Sequence, residues 1–320
     1  MDYFFKEAKE KIGEFVASHP GLTIDEDPPT VQGVTNRVLF GKASGIPVVY
    51  KYFCETPRKV QEEKAINSLS RSIFIPRLLL FRSDRIMVMT RFPGRTLWET
   101  HKELDQKVLS GLFSQIGSAL SELEDIARPV DQFSLKKDTP GVKFDVTYFW
   151  NSSLPDFFDS LVDACMSEMT RFGINDPVLV KSIRAMAERR SEFLDRKSYF
   201  HPDDIHENNV VVEEGNLRGI IDLEMSRTGN DIYLLCAAFN SKSLRDPYFR
   251  DAFRDGWEAV RGSKIDEETK NLVKVFLPFQ VWIRFGWYFN SDDPEEWAIQ
   301  ERKVTVKQLK ETLQFAEEQF

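Results

Sequence analysis

The chain has 320 residues, a length that suits one or two lobes rather than three. Lys and Arg number 43 and Asp and Glu 51, a formal charge of −8, and no basic run stands out, which argues against a nucleic-acid partner or an anionic membrane surface. With 42% apolar and 29% charged residues, the composition is that of a folded chain with a sizeable core and not of a disordered one.

The stretch up to Ser18 reads as an amphipathic helix with Phe4, Ala8, Ile12 and Phe15 near one face, ended by His19, Pro20 and Gly21. It lacks the uninterrupted apolar run of a secretory signal. From Val31 to Phe53 the pattern changes to strands, Arg37–Phe40 and Ile46–Phe53, around a turn at Lys42–Gly45. Pro57 introduces a helix over Lys59–Ser70, with Ala65, Ile66 and Leu69 inward. Strands are expected again at Arg77–Phe81 and Ile86–Phe92, and Pro93 and Gly94 punctuate. Helices then dominate. Val108, Leu109, Leu112, Phe113, Ile116, Leu120 and Leu123 form one stripe, and Tyr148–Phe172 and Asp176–Leu194 are further helices. A strand patch at Val210–Ile221 interrupts them, and helices resume after Asp231.

The layout is therefore α+β. A small strand-rich lobe within residues 1–92 joins a larger helical lobe, 93–320, and a cleft between two such lobes is a common ligand site. Cys54, Cys165 and Cys236 are odd in number and far apart, so neither a disulfide framework nor a metal knuckle is expected. The apolar stretch Val273–Phe289 is broken by Lys274, Pro278 and Arg284 and makes a poor membrane span. A soluble cytoplasmic protein without a membrane or nucleic-acid partner is the expectation.

The most informative segment is HPDDIHENNVVVEEGNLRGIIDLE, His201–Glu224. If Gly215 and Asn216 form a two-residue turn, counting outward sets Asn209 directly opposite Asp222. Opposed side chains share a face, and an amide oxygen beside a carboxylate can share a hard cation such as Mg²⁺. Asn208 would then face the other way. The plain alternative is that Asn209 and Asp222 cap strand ends.

DIHENNVVVEEGNLRGIIDLE resembles the signature of the aminoglycoside phosphotransferase and choline kinase family, which has the protein-kinase-like fold. Its pattern runs H-G-D-L-H-x-x-N, strand, turn, strand, I-D-W/F-E, and Asp204, His206, Asn209, Asp222 and Glu224 take its positions. One departure stands out. Pro202, not His, lies two before Asp204, and the register His201–Asp203–Asn208 restores that His while spoiling the rest. A one-residue insertion reconciles both halves, with Asp204 favoured as the catalytic carboxylate and Asp203 its alternative.

The small lobe carries the other parts that the resemblance implies. Lys51 stands inside the apolar strand run VVYKYF, where it is costly to bury unless paired. In the following segment PRKVQEEKAINSL, Glu62 lies four before Ile66 and seven before Leu69, and so near the inner face; Glu63 is its alternative. Gly33–Val38, GVTNRV, is similar to the family's nucleotide-loop pattern G-x-x-N with Asn36 at the Asn position, although alone it also reads as a plain hairpin turn. MVMTRFPG, Met87–Gly94, is similar to the lobe connection whose backbone, here Thr90–Phe92, meets the adenine edge. An Asp that the family often carries falls at Leu234.

The resemblance implies a bilobal fold with a small antiparallel-sheet N-lobe and a mostly helical C-lobe. It also implies an ATP-dependent and Mg²⁺-dependent phosphotransferase acting on a hydroxyl of a small molecule. Lys51 held by Glu62 would meet the phosphates, Asn209 and Asp222 would hold the metal, and Asp204 would take the hydroxyl proton. The alternative is a nucleotide-binding pseudokinase with a regulatory or scaffolding role. A protein kinase is disfavoured because D-F-G, A-P-E and an activation segment are missing. Tyr148, Phe149, Trp150, Phe157, Phe158, Trp282, Trp287 and Tyr288 are candidates for the acceptor side, with core packing as their more common use.

Overall fold

The computed structural model describes residues 3–25, 36–79, 81, 83–126, 154–171, 173–289 and 296–320. Tyr148, Phe149, Trp150 and Gly33 lie outside these residues, as do the side chains of Phe4, Trp287 and Tyr288. Contacts divide the chain into two compact units, Met1–Leu104 with Glu207–Ser226, and Asp105–His206 with Arg227–Phe320.

In the first unit, helix α1 (Tyr3–Ala17) leads into strands β1 (Leu22–Ile24), β2 (Asn36–Ala43) and β3 (Ile46–Phe53), then helix α2 (Thr56–Ser68), β4 (Leu78–Leu79) and β5 (Ile86–Thr90). These strands form an antiparallel sheet in the order β1-β2-β3-β5-β4. The period of two along β3 sorts its side chains. Tyr50 and Tyr52 pack with Leu39 and Val88 against Ala8 and Ile12 of α1, and their hydroxyls donate to Thr23 O at 3.0 Å and Glu7 Oε1 at 2.6 Å. The alternate positions include Lys51 and Phe53. The β2–β3 turn uses Ser44 and Gly45, both at positive φ, as a two-residue hairpin requires. Helix α2 begins at Thr56, earlier than expected, because Pro57 fits the first helical turn.

Strand β6 (Arg95–Thr96) and the short helix α3 (Leu97–Thr100) complete the first 104 residues, and β6 pairs with β8 (Val210–Glu213), which pairs with β9 (Asn216–Ile220). This pairing draws the hairpin into the first unit. Gly94 permits it. Its φ is +101°, and a Cβ there would lie 2.1 Å from the Val212 carbonyl oxygen.

The second unit is mainly helical: α4 (Gln106–Ile126), α5 (Leu154–Arg171), α6 (Pro177–Glu188), α7 (Arg190–Leu194), α8 (Asp231–Phe239), α9 (Pro247–Arg261), α10 (Glu267–Phe276), α11 (Phe279–Phe289) and α12 (Glu296–Gln319). The stripe on α4 is buried at Leu112, Phe113, Ile116, Leu120 and Leu123. A two-stranded sheet, β7 (Tyr199–His201) with β10 (Arg227–Gly229), was not apparent in the sequence; each strand has only three residues, too short for a periodic signal. Several of the chain's 26 phenylalanines pack on one another. Phe193 stacks on Phe276 at 4.2 Å between centroids, and Phe158 and Phe279 lie beside them. Phe157, Phe158 and Trp282 are fully buried, so these three candidates for the acceptor side are core residues.

Candidate functional site

Lys51 is 4% exposed, and its Nζ donates to Glu62 Oε2 and to Asp222 Oδ1, each at 2.5 Å. Taking an ammonium out of water is costly and is sustained here by close carboxylates. Burial lowers the Lys51 pKa, but Asp222, Glu62 and Glu224 together outweigh it and hold the group well above the ordinary lysine range. Burial, together with the nearby Asp222 and Glu224 charges, moves Glu62 upward against the pull of Lys51. Its second oxygen accepts from the Leu223 N–H at 3.3 Å. Glu63 instead pairs with Lys59 at 2.6 Å, one turn back on α2, so the partner of Lys51 is Glu62.

Asp222 follows β9 in a left-handed conformation, φ 60° and ψ 61°, which Asp tolerates better than most residues. The chain then makes a 3-10 turn, Leu223–Met225, and α2 meets this turn with a row of polar side chains. Besides Glu62, Gln61 donates to Ser226 O at 2.6 Å and Arg58 Nη1 donates to Glu224 Oε1 at 2.8 Å. Asn36, at the start of β2, donates its amide to Glu224 Oε2. Glu62, Asp222 and Glu224 each offer a carboxylate oxygen within 4.8 Å of the others. Such hard oxygen donors fit Mg²⁺.

The hairpin register differs from the expected one. Its turn residues are Glu214 and Gly215, at φ 51° and 76°, and Asn216 pairs with Glu213. Val212 faces Leu217 while Val211 faces Gly219, which leaves Arg218 as a bulged residue. Asn209 therefore does not stand opposite Asp222. Its carbonyl accepts from the Ile221 N–H at 2.9 Å. The reason lies in the turn, where two left-handed residues are needed and the Glu-Gly pair supplies them. Asn209 is nevertheless buried and Asn208 exposed.

Asp203 and Asp204 belong to the second unit and have different surroundings. The Asp204 carboxylate is 39% exposed and lies 3.4 Å from His206 Nε2. Asp203 turns inward and accepts from Gln280 Nε2 at 2.8 Å. Burial pushes its pKa to about 6 against the nearby Arg227 charge. Arg227 itself is buried, its guanidinium 3.9 Å from the Phe157 ring centre. His201 is wholly buried beside Tyr199 and Tyr233. At the departure noted near Leu234, Asn230 caps α8 and Asp231 holds Arg196 through two contacts of 2.6 Å.

At the end of β5, the Thr90 N–H donates to Arg77 O at 2.9 Å and the Arg91 N–H to Pro47 O at 3.1 Å, so both are engaged within the first unit. The Phe92 ring lies against Gly219, where any Cβ would come within 2.1 Å of it. Arg58, Gln61, Arg227 and Gln280 were not anticipated. Arg58 had a usable signal, since it precedes Glu62 by four and so shares its helical face.

A family model described as "Phosphotransferase enzyme family" matches residues 34–262. The chain belongs to the phosphotransferase enzyme family. Among solved structures, aminoglycoside phosphotransferase APH(2'')-Ib with bound ADP has a TM-score of 0.62 at 16% identity, covering 99% of both chains. Aminoglycoside phosphotransferase APH(4)-Ia has 0.62 at 13%, covering 97% of this chain and 99% of that one. Choline kinase LicA from Streptococcus pneumoniae has 0.60 at 15%, covering 95% and 99%. At such identities the likeness is one of fold. This family member thus has the kinase-like fold, with an antiparallel sheet towards the N-terminus and a mostly helical remainder. A search of curated proteins finds no match. No helix among the described residues is long and apolar enough to cross a membrane.

Proposed function

We propose that this chain is an ATP-dependent phosphotransferase that moves the γ-phosphoryl group to a hydroxyl of a small molecule. The observation that carries this reading is the buried Lys51 ammonium between Glu62 and Asp222, in a member of the phosphotransferase family. Residues 1–92 would supply most of the nucleotide side, with Asn36 over the phosphates and the connection at Thr90–Phe92 at the base. Residues 93–320 would supply the acceptor side. Lys51, oriented by Glu62, would hold the nucleotide phosphates and balance their charge. Asp222 and Asn209 would hold Mg²⁺, whose charge would offset that of the transferring group. Asp204 orients the acceptor hydroxyl and accepts its proton. Its exposure suits that task, whereas Asp203 is held inward by Gln280.

Solved structures similar to this chain include complexes with ADP, with streptomycin and ATP, and with gentamicin, and a choline kinase. Streptomycin, gentamicin and choline are small hydroxylated molecules, which supports that class of acceptor here. Cys54, Cys165 and Cys236 are not joined in disulfides, which supports a reducing, cytoplasmic setting where ATP is at hand.

The test is phosphorylation of a library of hydroxylated metabolites by Mg-ATP with mass detection. Asp204→Asn is expected to lower transfer by about 10²–10⁴-fold with ATP binding retained. Loss of transfer in Asp203→Asn but not in Asp204→Asn would reverse the two roles. Mg-ATP binding without transfer to any acceptor would favour a nucleotide-binding pseudokinase.

A further inference from the structure

One oxygen of Glu224 lies within 4.8 Å of ligand oxygens on Glu62 and Asp222, close enough to join them on a cation. Yet both of its oxygens are engaged. Oε1 accepts from Arg58 at 2.8 Å and Oε2 from Asn36, and the side chain is only 6% exposed. A dication on Oε1 would sit beside the Arg58 guanidinium, the two charges repelling through a poorly screened interior, and one on Oε2 would have to displace the Asn36 amide. Arg58 is fixed in turn. It lies one turn before Glu62 on α2, with Gln61 tied to Ser226 beside it and Glu55 3.4 Å from its Nε.

We infer that Arg58 is a positioning residue that keeps Glu224 out of the metal coordination and makes it a structural anchor, joining α2 to the turn that carries Asp222. This rests on the phosphotransferase reading and deepens it. The acidic cluster has three carboxylates, but only Asp222 and Glu62 are free of Arg58, and Glu62 is committed to Lys51 and Leu223. Removing Arg58 releases Glu224 towards the cation, and affinity for a hard cation rises with the number of charged ligands.

The experiment uses the full chain, biosynthetically labelled with ¹³C-carboxylate glutamate, with Mn²⁺ and a non-hydrolysable ATP analogue, read by electron–nuclear double resonance. Wild type and Glu224→Gln are expected to give the same ¹³C couplings. Arg58→Met is expected to add a coupling that is lost in the double variant Arg58→Met/Glu224→Gln, and to tighten Mn²⁺ binding, on the order of tenfold, because affinity rises with ligand charge count. A Glu224-dependent coupling already present in wild type, or none gained in Arg58→Met, overturns the inference. Should Arg58→Met fail to fold, the comparison of wild type with Glu224→Gln still decides whether Glu224 is a ligand. A wild type that binds no Mn²⁺ with the nucleotide overturns the phosphotransferase reading and this inference with it; bound Mn²⁺ with a Glu224 coupling overturns the inference alone.

Discussion

His201 and Asp203, two residues apart, respond to pH in opposite directions. Burial lowers the His201 pKa from 6.5 to about 4, aided by Arg227 and opposed by the bond to Pro202 O. The folded chain thus keeps a neutral imidazole while the unfolded chain gains a proton below about pH 6.5. His201 contributes stability that is full above that pH and is lost as pH falls through 6.5 towards 4. Asp203, raised from 3.8 to about 6, keeps a proton in the folded chain that the unfolded chain has released. Its contribution is full below about pH 3.8 and is lost as pH rises towards 6. The two slopes nearly cancel over one window. His201→Phe keeps a buried ring and removes one slope. Urea unfolding is expected to show this variant gaining on wild type by on the order of 2 kcal/mol between pH 7 and 4.5. An equal difference at both pH values would rule out burial of neutral His201 as the cause.

At the scale of elements, α4 and α9 cross at two glycines. A Cβ at Gly117 would lie 2.1 Å from Phe253 O, and one at Gly256 would lie 2.0 Å from Ser114 O, so the backbones meet without side chains between them. Gly111, on the same helix α4, has nothing within 4 Å of its Cβ position. Alanine at position 111 is expected to raise stability by about 0.5–1 kcal/mol, through helix propensity alone. Alanine at position 117 is expected to lower it by about 1–3 kcal/mol through overpacking. Thermal unfolding of Gly111→Ala and Gly117→Ala checks the contrast; a shift of the same sign in both would mean that the close approach is not what selects Gly117. Element types were largely legible, because the stripe on α4 and the strand runs around Lys51 have clear periods. Boundaries were less so. Helix α2 starts three residues earlier than its apolar spacing suggests, since its first turn is polar and rests on Pro57.

For the whole molecule, the first unit is discontinuous in sequence. Residues 207–226 return to it, pairing β8 with β6 and bringing Asp222, Leu223, Glu224 and Ser226 to Lys51 and α2. A fragment of residues 1–104 would leave Arg58 and Gln61 without those partners, and unsatisfied buried polar groups are costly. It is expected to show no cooperative thermal transition by circular dichroism, and addition of residues 207–226 through a flexible linker to restore one. A sharp transition in the 1–104 fragment alone would show that the sheet and α1 suffice.

What the amino-acid order determined by itself was the chemistry on offer: a lysine in an apolar strand, a glutamate on the next helix, and an Asp–Asn–Asp series around a hairpin. Those are local patterns, readable by periodicity and spacing. Tertiary structure alone decided that Asp222 joins Glu62 on Lys51 and that Arg58 and Asn36 engage Glu224, whereas the one-residue difference in the hairpin register came from the Glu214–Gly215 turn. Lys51 and Asp222 are 171 residues apart, and Arg58 and Glu224 are 166 apart. No local period spans such distances. Burial decides those pairings, because a charge removed from water must find its partner wherever the packed chain brings one.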